Sequence, residues 1–296
     1  MREPLAARLE REDFEKNYRD APPELVARLR QFRVEYPYRQ ATVGGTRWSY
    51  IGGGRGRPLL LLTGALGTAE SSWQSIAHFA RRYRIIAPSY PATISTMADL
   101  ADGLAGILDV AGVARSYVMG GSFGGYVAQV YVRRYVRRTE KLVISHAGLP
   151  DPERGEQIAR AMWWMKLLPA SLMRALLKRR LGSLLPQERP EGVFMAAYLQ
   201  EALRAPGTKE RFLNGFRLAM DFDLQQDFQA QDLADWPGQV LLITADDDPG
   251  TPPRVREAMM ALYPDAKLHL FHGTGHASAI LKAEEYNGAV QGFLDE

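Results

Sequence analysis

The sequence predicts an α/β fold: a mostly parallel sheet with helices on both faces and an all-helical insertion. Three observations carry this. From residue 58 onward, short continuous apolar runs alternate with stretches of helical periodicity. The runs are apolar throughout, as strands buried on both faces are. Residues 149 to about 232 break the alternation, with helical spacing and no convincing strand. The length of 296 residues suits one large domain, or a core carrying an insertion.

In chain order, residues 1–35 read as a helical arm. Leu5, Leu9 and Phe14, then Leu25, Leu29 and Phe32, recur at roughly helical spacing. Asp20 is the expected cap of the second piece, with Pro22 and Pro23 in its first turn. A hairpin follows: strand 38–43, a Gly44-Gly45 turn, strand 46–51. Gly52-Gly53-Gly54-Arg55-Gly56 is rich in glycine, yet it opens no helix and no Gly-Lys-Ser/Thr follows. A plain turn fits better than a phosphate loop. Parallel strands are expected at 58–62, 84–88, 117–120, 142–145 and 240–244, with 267–271 as an edge strand. Met97, Leu100, Leu104, Ile107 and Ala111 mark a helix that starts at Ser95 or Thr96 and stops at Gly112. The insertion reads as four or so amphipathic helices, around Ile158 to Met165, Leu172 and Leu176, Val193 to Leu203, and Phe212 to Met220. The expected domains are an arm at 1–35, a core at 36–148 and 233–296, and a helical cap at 149–232. The insertion follows a strand's carboxyl end, so a place over the ligand crevice is expected.

Composition narrows the function classes. Apolar residues at 46% and charged residues at 24% are ordinary for a soluble globular chain. Cysteine is absent, which excludes a disulfide scaffold, a Cys nucleophile and a Cys-ligated metal centre. Net charge is only +3, from thirty Arg and seven Lys spread along the chain. No nucleic-acid partner is therefore expected. No run approaches the ~18 apolar residues of a membrane span. The first residues are charged where a secretory leader would be apolar, so a cytoplasmic protein is expected.

The sharpest chemical signal is Gly120-Gly121-Ser122-Phe123-Gly124-Gly125, between the apolar run at 117–119 and a helical pattern. This is G-x-S-x-G in a strand–turn–helix context. Such a turn strains the serine backbone and holds its hydroxyl clear. Small residues two before and two after let strand and helix approach. The Phe123 N–H, at the helix start, then points where an oxyanion would form. The alternative is a glycine-rich turn with an incidental serine.

A serine nucleophile needs a base and an orienting acid. Of five histidines, His276 follows the last strand and is the expected base, with His272 the runner-up. His269 alternates with Leu268 and Leu270, so it is expected to face solvent. His78 lies in a helical pattern and reads as structural. His146 directly follows a strand, where it would line the crevice or serve a hinge. Asp246, Asp247 and Asp248 all follow strand 240–244. Periodicity leaves open which of them faces inward. Asp248, before Pro249, has the reach to turn back toward His276, and Asp151 is a weaker candidate. The order Ser122, Asp248, His276 is that of elbow-type hydrolases.

The second oxyanion donor is expected from Thr63-Gly64-Ala65-Leu66-Gly67, where Gly64 would turn the chain and present the Ala65 N–H. Gly64, Leu66 and His146 would line the substrate site. Trp163 and Trp164 would line an acyl pocket, unless they serve cap-to-core packing.

These residues resemble the α/β-hydrolase fold superfamily over about residues 36–296. The elbow GGSFGG, the acid turn VLLITADDDPGTPP and the segment GTGHASAI carry the resemblance. It selects Asp248 as the acid and His276 as the base. Thr63-Gly64 stands where the superfamily has His-Gly. TGALGTA (63–69), YRIIAPSYPA (83–92) and residues 40–50 are similar to the maspardin-like branch, some of whose members act as binding proteins. The resemblance implies a serine hydrolase cleaving carboxylic esters with small to medium apolar acyl groups, with no cofactor and no metal. Acyl transfer, carbon–carbon or amide hydrolysis, and a binding role are the alternatives.

Overall fold

The computed structural model describes residues 5–183 and 189–296, with side chains from residue 12 on. Residues 1–4 of the expected arm, 184–188 of the expected cap, and the burial of Leu5 and Leu9 lie outside the described residues.

Two helices open the chain, α1 (Leu5–Tyr18) and α2 (Pro23–Glu35). The Pro22 carbonyl accepts from the Val26 N–H at 3.2 Å and closes the first turn of α2. Asp20 instead faces Arg19 at 3.1 Å and is not the cap. Two prolines in sequence already preset the backbone there. Strands β1 (Tyr38–Val43) and β2 (Thr46–Gly53) form the hairpin, with Gly44 and Gly45 both at positive φ. Gly52 and Gly53 do not form the turn. They continue β2, opposite Ile86 and Ile85. The turn begins at Gly54, whose φ is 74°, and a Cβ there would lie 2.1 Å from the Tyr83 carbonyl oxygen.

Then come β3 (Pro58–Leu62), α3 (Trp73–Phe79), β4 (Arg84–Pro88) and α4 (Met97–Val110). Thr96 caps α4, its Oγ1 accepting from the Asp99 N–H at 3.1 Å, and Gly112 takes a φ of 65° beyond its end. β5 (Ser116–Gly121), α5 (Phe123–Arg134) and β6 (Thr139–Ser145) follow. Four helices come next: α6 (Pro152–Met165), α7 (Ala170–Gly182), α8 (Pro190–Arg204) and α9 (Thr208–Gln225). β7 (Gln239–Ala245), α10 (Pro253–Leu262), β8 (Lys267–Phe271), α11 (Ser278–Leu281) and α12 (Ala283–Asp295) complete the chain.

The eight strands form one sheet in the order β1-β2-β4-β3-β5-β6-β7-β8. The β1–β2 and β2–β4 pairings are antiparallel; the remaining five are parallel. Alternate strand residues point to opposite faces. Leu60, Val118, Leu142 and Leu242 face a core shared with α4, α5 and α10. Leu59, Tyr117, Val143 and Leu241, one residue out of phase, are buried too. Each fully buried leucine contributes about 2 kcal/mol, so the all-apolar strands stabilise both faces. β8 lies at the edge, as expected. His269 departs from expectation: Leu268 is the exposed residue, and His269 is half-buried against Glu285 of α12 at 3.2 Å.

The compact units divide the chain differently from the expected arm, core and cap. One unit is Tyr36–Leu167 with Glu210–Glu296 and contains the sheet. In it, Arg154 of α6 pairs with the buried Asp223 of α9, with Nε 2.8 Å from Oδ2. Asn214 Nδ2 donates to the Ile94 carbonyl at 2.7 Å, and Asp221 accepts from the Met97 N–H at 2.7 Å. These polar ties hold α6 and most of α9 with the sheet, and amphipathic spacing does not reveal them. The other unit is Met1–Glu35 with Leu168–Lys209. Tyr18, Leu29 and Phe32 are buried there, as are Met173, Phe194 and Tyr198. Arg33 makes a two-pronged pair with Glu201, at 2.9 and 3.0 Å. Among the described residues, the N-terminal helices α1 and α2 thus group with α7 and α8 in one compact unit.

Candidate active site

Ser122 stands alone between β5 and α5, with φ 53° and ψ −124°. Such a conformation costs a non-glycine residue roughly 1–3 kcal/mol and persists only where packing enforces it. Here the enforcement is visible. A Cβ on Gly120 would lie 2.1 Å from the Gly124 carbonyl oxygen, and one on Gly124 would lie 2.4 Å from that of Leu62. Only glycine fits two before and two after the serine, because strand, helix and neighbouring β3 meet there. The Ser122 N–H donates to the Ser145 carbonyl at 2.8 Å, which ties the elbow to the end of β6.

Phe123 begins α5, so its N–H has no partner within the helix. Opposite, Gly64 to Gly67 form a tight turn closed by the Gly67 N–H on the Gly64 carbonyl at 3.0 Å. Among the described residues neither the Phe123 nor the Ala65 N–H finds an acceptor. One detail departs from expectation. Gly64 has room for a Cβ and an ordinary φ; Gly67 takes the positive φ, 66°. Leu66 occupies the turn and is half-buried. Tyr90, which sequence reasoning passed over, braces this loop. Its hydroxyl donates to the Thr63 carbonyl at 2.9 Å, and its N–H donates to the Gly67 carbonyl at 2.9 Å. Burial pushes the Tyr90 phenol well above its ordinary range, so it stays a donor.

The three acids after β7 each take a different partner from the histidine loop. Asp246 continues the ladder, its N–H donating to the Phe271 carbonyl at 3.0 Å, and its carboxylate holds His272 Nδ1 at 2.7 Å. The runner-up base is thus drawn into solvent, with 71% of its side chain exposed. Asp247 accepts from the Thr274 and Gly275 N–H groups, at 3.1 and 2.8 Å. Asp248 turns inward, and its carboxylate lies 3.0 and 3.1 Å from His276 Nδ1. Asp151 is occupied elsewhere, capping α6 through the Glu153 and Arg154 N–H groups.

Asp248 is fully enclosed and accepts more than one histidine. The Gly250 N–H donates to Oδ1 at 2.8 Å, and the Thr251 hydroxyl to Oδ2 at 2.8 Å. His146 Nδ1 also lies 2.8 Å from Oδ2. Burial pushes the Asp248 carboxyl upward, but the donors from His146, His276 and Gly250 outweigh it and hold the group far below the carboxylate range. It is therefore an anion at neutral pH. The anion can accept from the Nδ1 of His276 and leave Nε2 as a base. Among the described residues, neither Ser122 Oγ nor His276 Nε2 has a hydrogen-bond partner.

His146 is not a simple crevice lining. It follows Ser145 at the end of β6 with φ 51°, and its ring lies 5.3 Å from that of His276. Ser145 is the residue whose carbonyl holds Ser122, so the serine and His146 sit at the ends of adjacent strands β5 and β6, and His276 comes in from the loop after β8. His146, Asp248 and His276 also form a set of ligand atoms within 4.8 Å, but those atoms already bond to one another. Trp163 and Trp164 are placed otherwise than expected. They are 75% and 46% exposed, and it is Met162 that packs inward from α6. Neither an acyl-pocket nor a core-packing role is seen for the pair.

The sheet order, with a serine turn after β5, an acid after β7 and a histidine after β8, is the architecture of an α/β hydrolase. The chain belongs to the Alpha/beta hydrolase family, whose model matches residues 59–289. A 2-hydroxy-6-oxononadienedioate/2-hydroxy-6-oxononatrienedioate hydrolase of Burkholderia vietnamiensis is 26% identical over 84% of this chain and 91% of its own length. Among solved structures, a meta-cleavage product hydrolase of Pseudomonas fluorescens matches with a TM-score of 0.69 and 22% identity, over 88% of this chain and 98% of its own. A thermophilic esterase of Thermogutta terrifontis matches with a TM-score of 0.71 and 22% identity, over 87% and 98%. At these identities the structural likeness speaks to the fold.

Proposed function

We propose that the protein is a serine hydrolase that opens a bond at the carbonyl carbon of a small-molecule substrate. The observation that carries this is Ser122, held at φ 53° and tied to Ser145 at the end of β6, together with the His276–Asp248 pair that follows β7 and β8. Ser122 Oγ attacks the carbonyl carbon while His276 Nε2 takes its proton. The carbonyl oxygen becomes an oxyanion facing the Phe123 and Ala65 N–H groups, each worth on the order of 3 kcal/mol in the transition state. Asp248 holds the imidazolium that forms. His276 returns the proton to the leaving group, an acyl-enzyme remains, and water attacks it by the same route.

Two leaving groups are weighed. Compounds of the 2-hydroxy-6-oxo-dienedioate type contain no ester or amide bond. Their hydrolysis breaks a carbon–carbon bond beside the keto group, and the conjugated acid absorbs the departing electron pair. Relatives named for such substrates cover most of both chains, which supports this reading first. Carboxylic ester cleavage is the second reading, supported by the same triad and by the esterase neighbour. A third, a non-catalytic binding role as in some maspardin-like proteins, rests on the short segments 63–69 and 83–92.

One assay separates them. Wild type and Ser122→Ala are given a 2-hydroxy-6-oxo-dienoate and p-nitrophenyl butyrate in parallel. Turnover of the dienoate that disappears with Ser122 supports carbon–carbon hydrolysis; turnover of the ester alone supports an esterase. Turnover that persists in Ser122→Ala overturns the serine mechanism. Absence of both activities, and of labelling by a fluorophosphonate, leaves the binding role.

A further inference from the structure

A triad needs one histidine, and Asp248 carries two. We infer that His146 is a positioning residue that acts through Asp248, fixing the carboxylate and limiting how strongly it supports the base His276. The inference rests on the serine-hydrolase reading above.

The hydrogen bonds define the role of each atom. An ionised carboxylate only accepts, so both imidazoles must donate through Nδ1. His146 Nε2 then lies 2.9 Å from Ser278 Oγ, which lies 2.7 Å from Thr274 Oγ1. A relay satisfies every atom: Thr274 donates to Ser278, Ser278 donates to His146 Nε2, and His146 Nδ1–H donates to Asp248. Both rings differ in freedom. The His146 side chain is 5% exposed and bonded at both nitrogens, whereas that of His276 is 19% exposed and bonded only at Nδ1. His146 therefore cannot reach substrate, and His276 can move a proton.

Local backbone supports a dedicated placement. His146 has a positive φ, which a non-glycine residue adopts at a cost. Its N–H donates to the Ile243 carbonyl of β7 at 2.8 Å, so the distortion is held by the sheet. The ring is thereby turned toward the loop that follows β7. Without it, Asp248 would retain three donors and concentrate more of its charge on His276. The imidazolium would be favoured, and the base would be active only at higher pH.

The other charged or titratable groups around the cluster are accounted for. Asp246 and Asp247 lie on the acid turn and His272 on the histidine loop. Tyr126 of α5 senses Asp248 together with Arg154, Asp151 and Asp223. Arg256 of α10 lines a small cavity with Thr244 and Thr251. None of these donates to the Asp248 carboxylate; His146 does.

The test is the pH dependence of Ser122 labelling by a fluorophosphonate, in wild type, Ser122→Ala, His146→Leu and His146→Asn. Asparagine places an N–H donor the same number of bonds from Cβ as Nδ1, and it tolerates positive φ. The acid limb of the labelling rate is expected to move up by ~0.5–1 pH unit in His146→Leu, the size of one lost hydrogen bond. It is expected to return near the wild-type position in His146→Asn. An unchanged limb in His146→Leu, with labelling intact, overturns the positioning role alone. No labelling of wild type, or labelling of Ser122→Ala, overturns the triad reading and this inference with it. If His146→Leu does not fold, nitrogen NMR of histidine-labelled wild type decides. His146 Nδ1 should stay protonated and shift at the pH where His276 titrates; a signal indifferent to that titration overturns the inference.

Discussion

Gly124 lies so close to Leu62 that a Cβ on it would sit 2.4 Å from the Leu62 carbonyl oxygen. The obstacle is backbone, so neither side can yield without moving β3 from α5. Gly124→Ala is expected to destabilise the fold by about 3 kcal/mol or more. Gly121→Ala is the control: its Cβ would meet nothing nearer than Ser145 at 3.8 Å. Urea unfolding of both proteins checks the contrast. Equal losses would mean that the close approach is not what the elbow depends on.

Tyr90→Phe removes the donor to the buried Thr63 carbonyl and leaves the ring packing intact. The ring lies 5.8 Å from that of Phe123. A lost buried hydrogen bond costs about 1–2 kcal/mol. The loop bearing Ala65 should loosen too, so turnover on whichever substrate Ser122 processes should fall by roughly tenfold, mainly in kcat. Steady-state kinetics test this. A rise in KM with kcat unchanged would place Tyr90 in binding instead.

Asp248 links stability to acid. Burial favours its neutral form, but the donors from His146, His276 and Gly250 win, so its folded pKa lies below the unfolded value. The unfolded chain then takes up the proton first as pH falls. The stability contribution is present above about pH 4 and drains away below it. Asp248→Asn should cost about 2–3 kcal/mol at pH 7, and the gap to wild type should narrow toward pH 3. Urea titrations at both pH values read this directly. A gap that stays constant would mean that Asp248 is not held as an anion.

Arg154→Met should destabilise by about 3 kcal/mol, because it leaves the Asp223 carboxylate buried without its cation. The Asp223 side chain is 1% exposed, and burial already pushes its pKa up against the pull of Arg154. Asp223→Asn in the same background should recover part of the loss. A thermal melt of single and double variants gives the coupling; additive losses would show the pair to be independent.

Much of the architecture was legible because the strands are unusually uniform. Pro58–Leu62 and residues 240–243 are apolar on both faces, and that pattern has one physical solution in a covered parallel sheet. Ser122 was legible because only glycine can sit two residues to either side of so tight a turn. The choice among Asp246, Asp247 and Asp248 was not legible from periodicity. It depends on where the ladder to β8 ends, and the Asp246–Phe271 hydrogen bond sets that phase. The link between His146 and Asp248 spans 102 residues and leaves no local trace. Trp163 and Trp164 misled because large aromatic residues suggest burial. Yet α6 presents Met162 inward and these two outward.

The unit built from the N-terminal helices has a consequence for synthesis. Tyr18 rests beside Phe194, with ring centroids 5.7 Å apart, and its hydroxyl donates to Glu201 at 2.5 Å. The whole of Tyr36–Leu167 is translated between the two halves of that unit. At ~5–20 residues per second, the first helices leave the ribosome on the order of ten seconds before their partners exist. During that interval Leu29 and Phe32 lack the partners that α7 and α8 supply in their own unit. A nascent chain of this protein would thus present the amphipathic pair α1 and α2 to chaperones until α8 emerges.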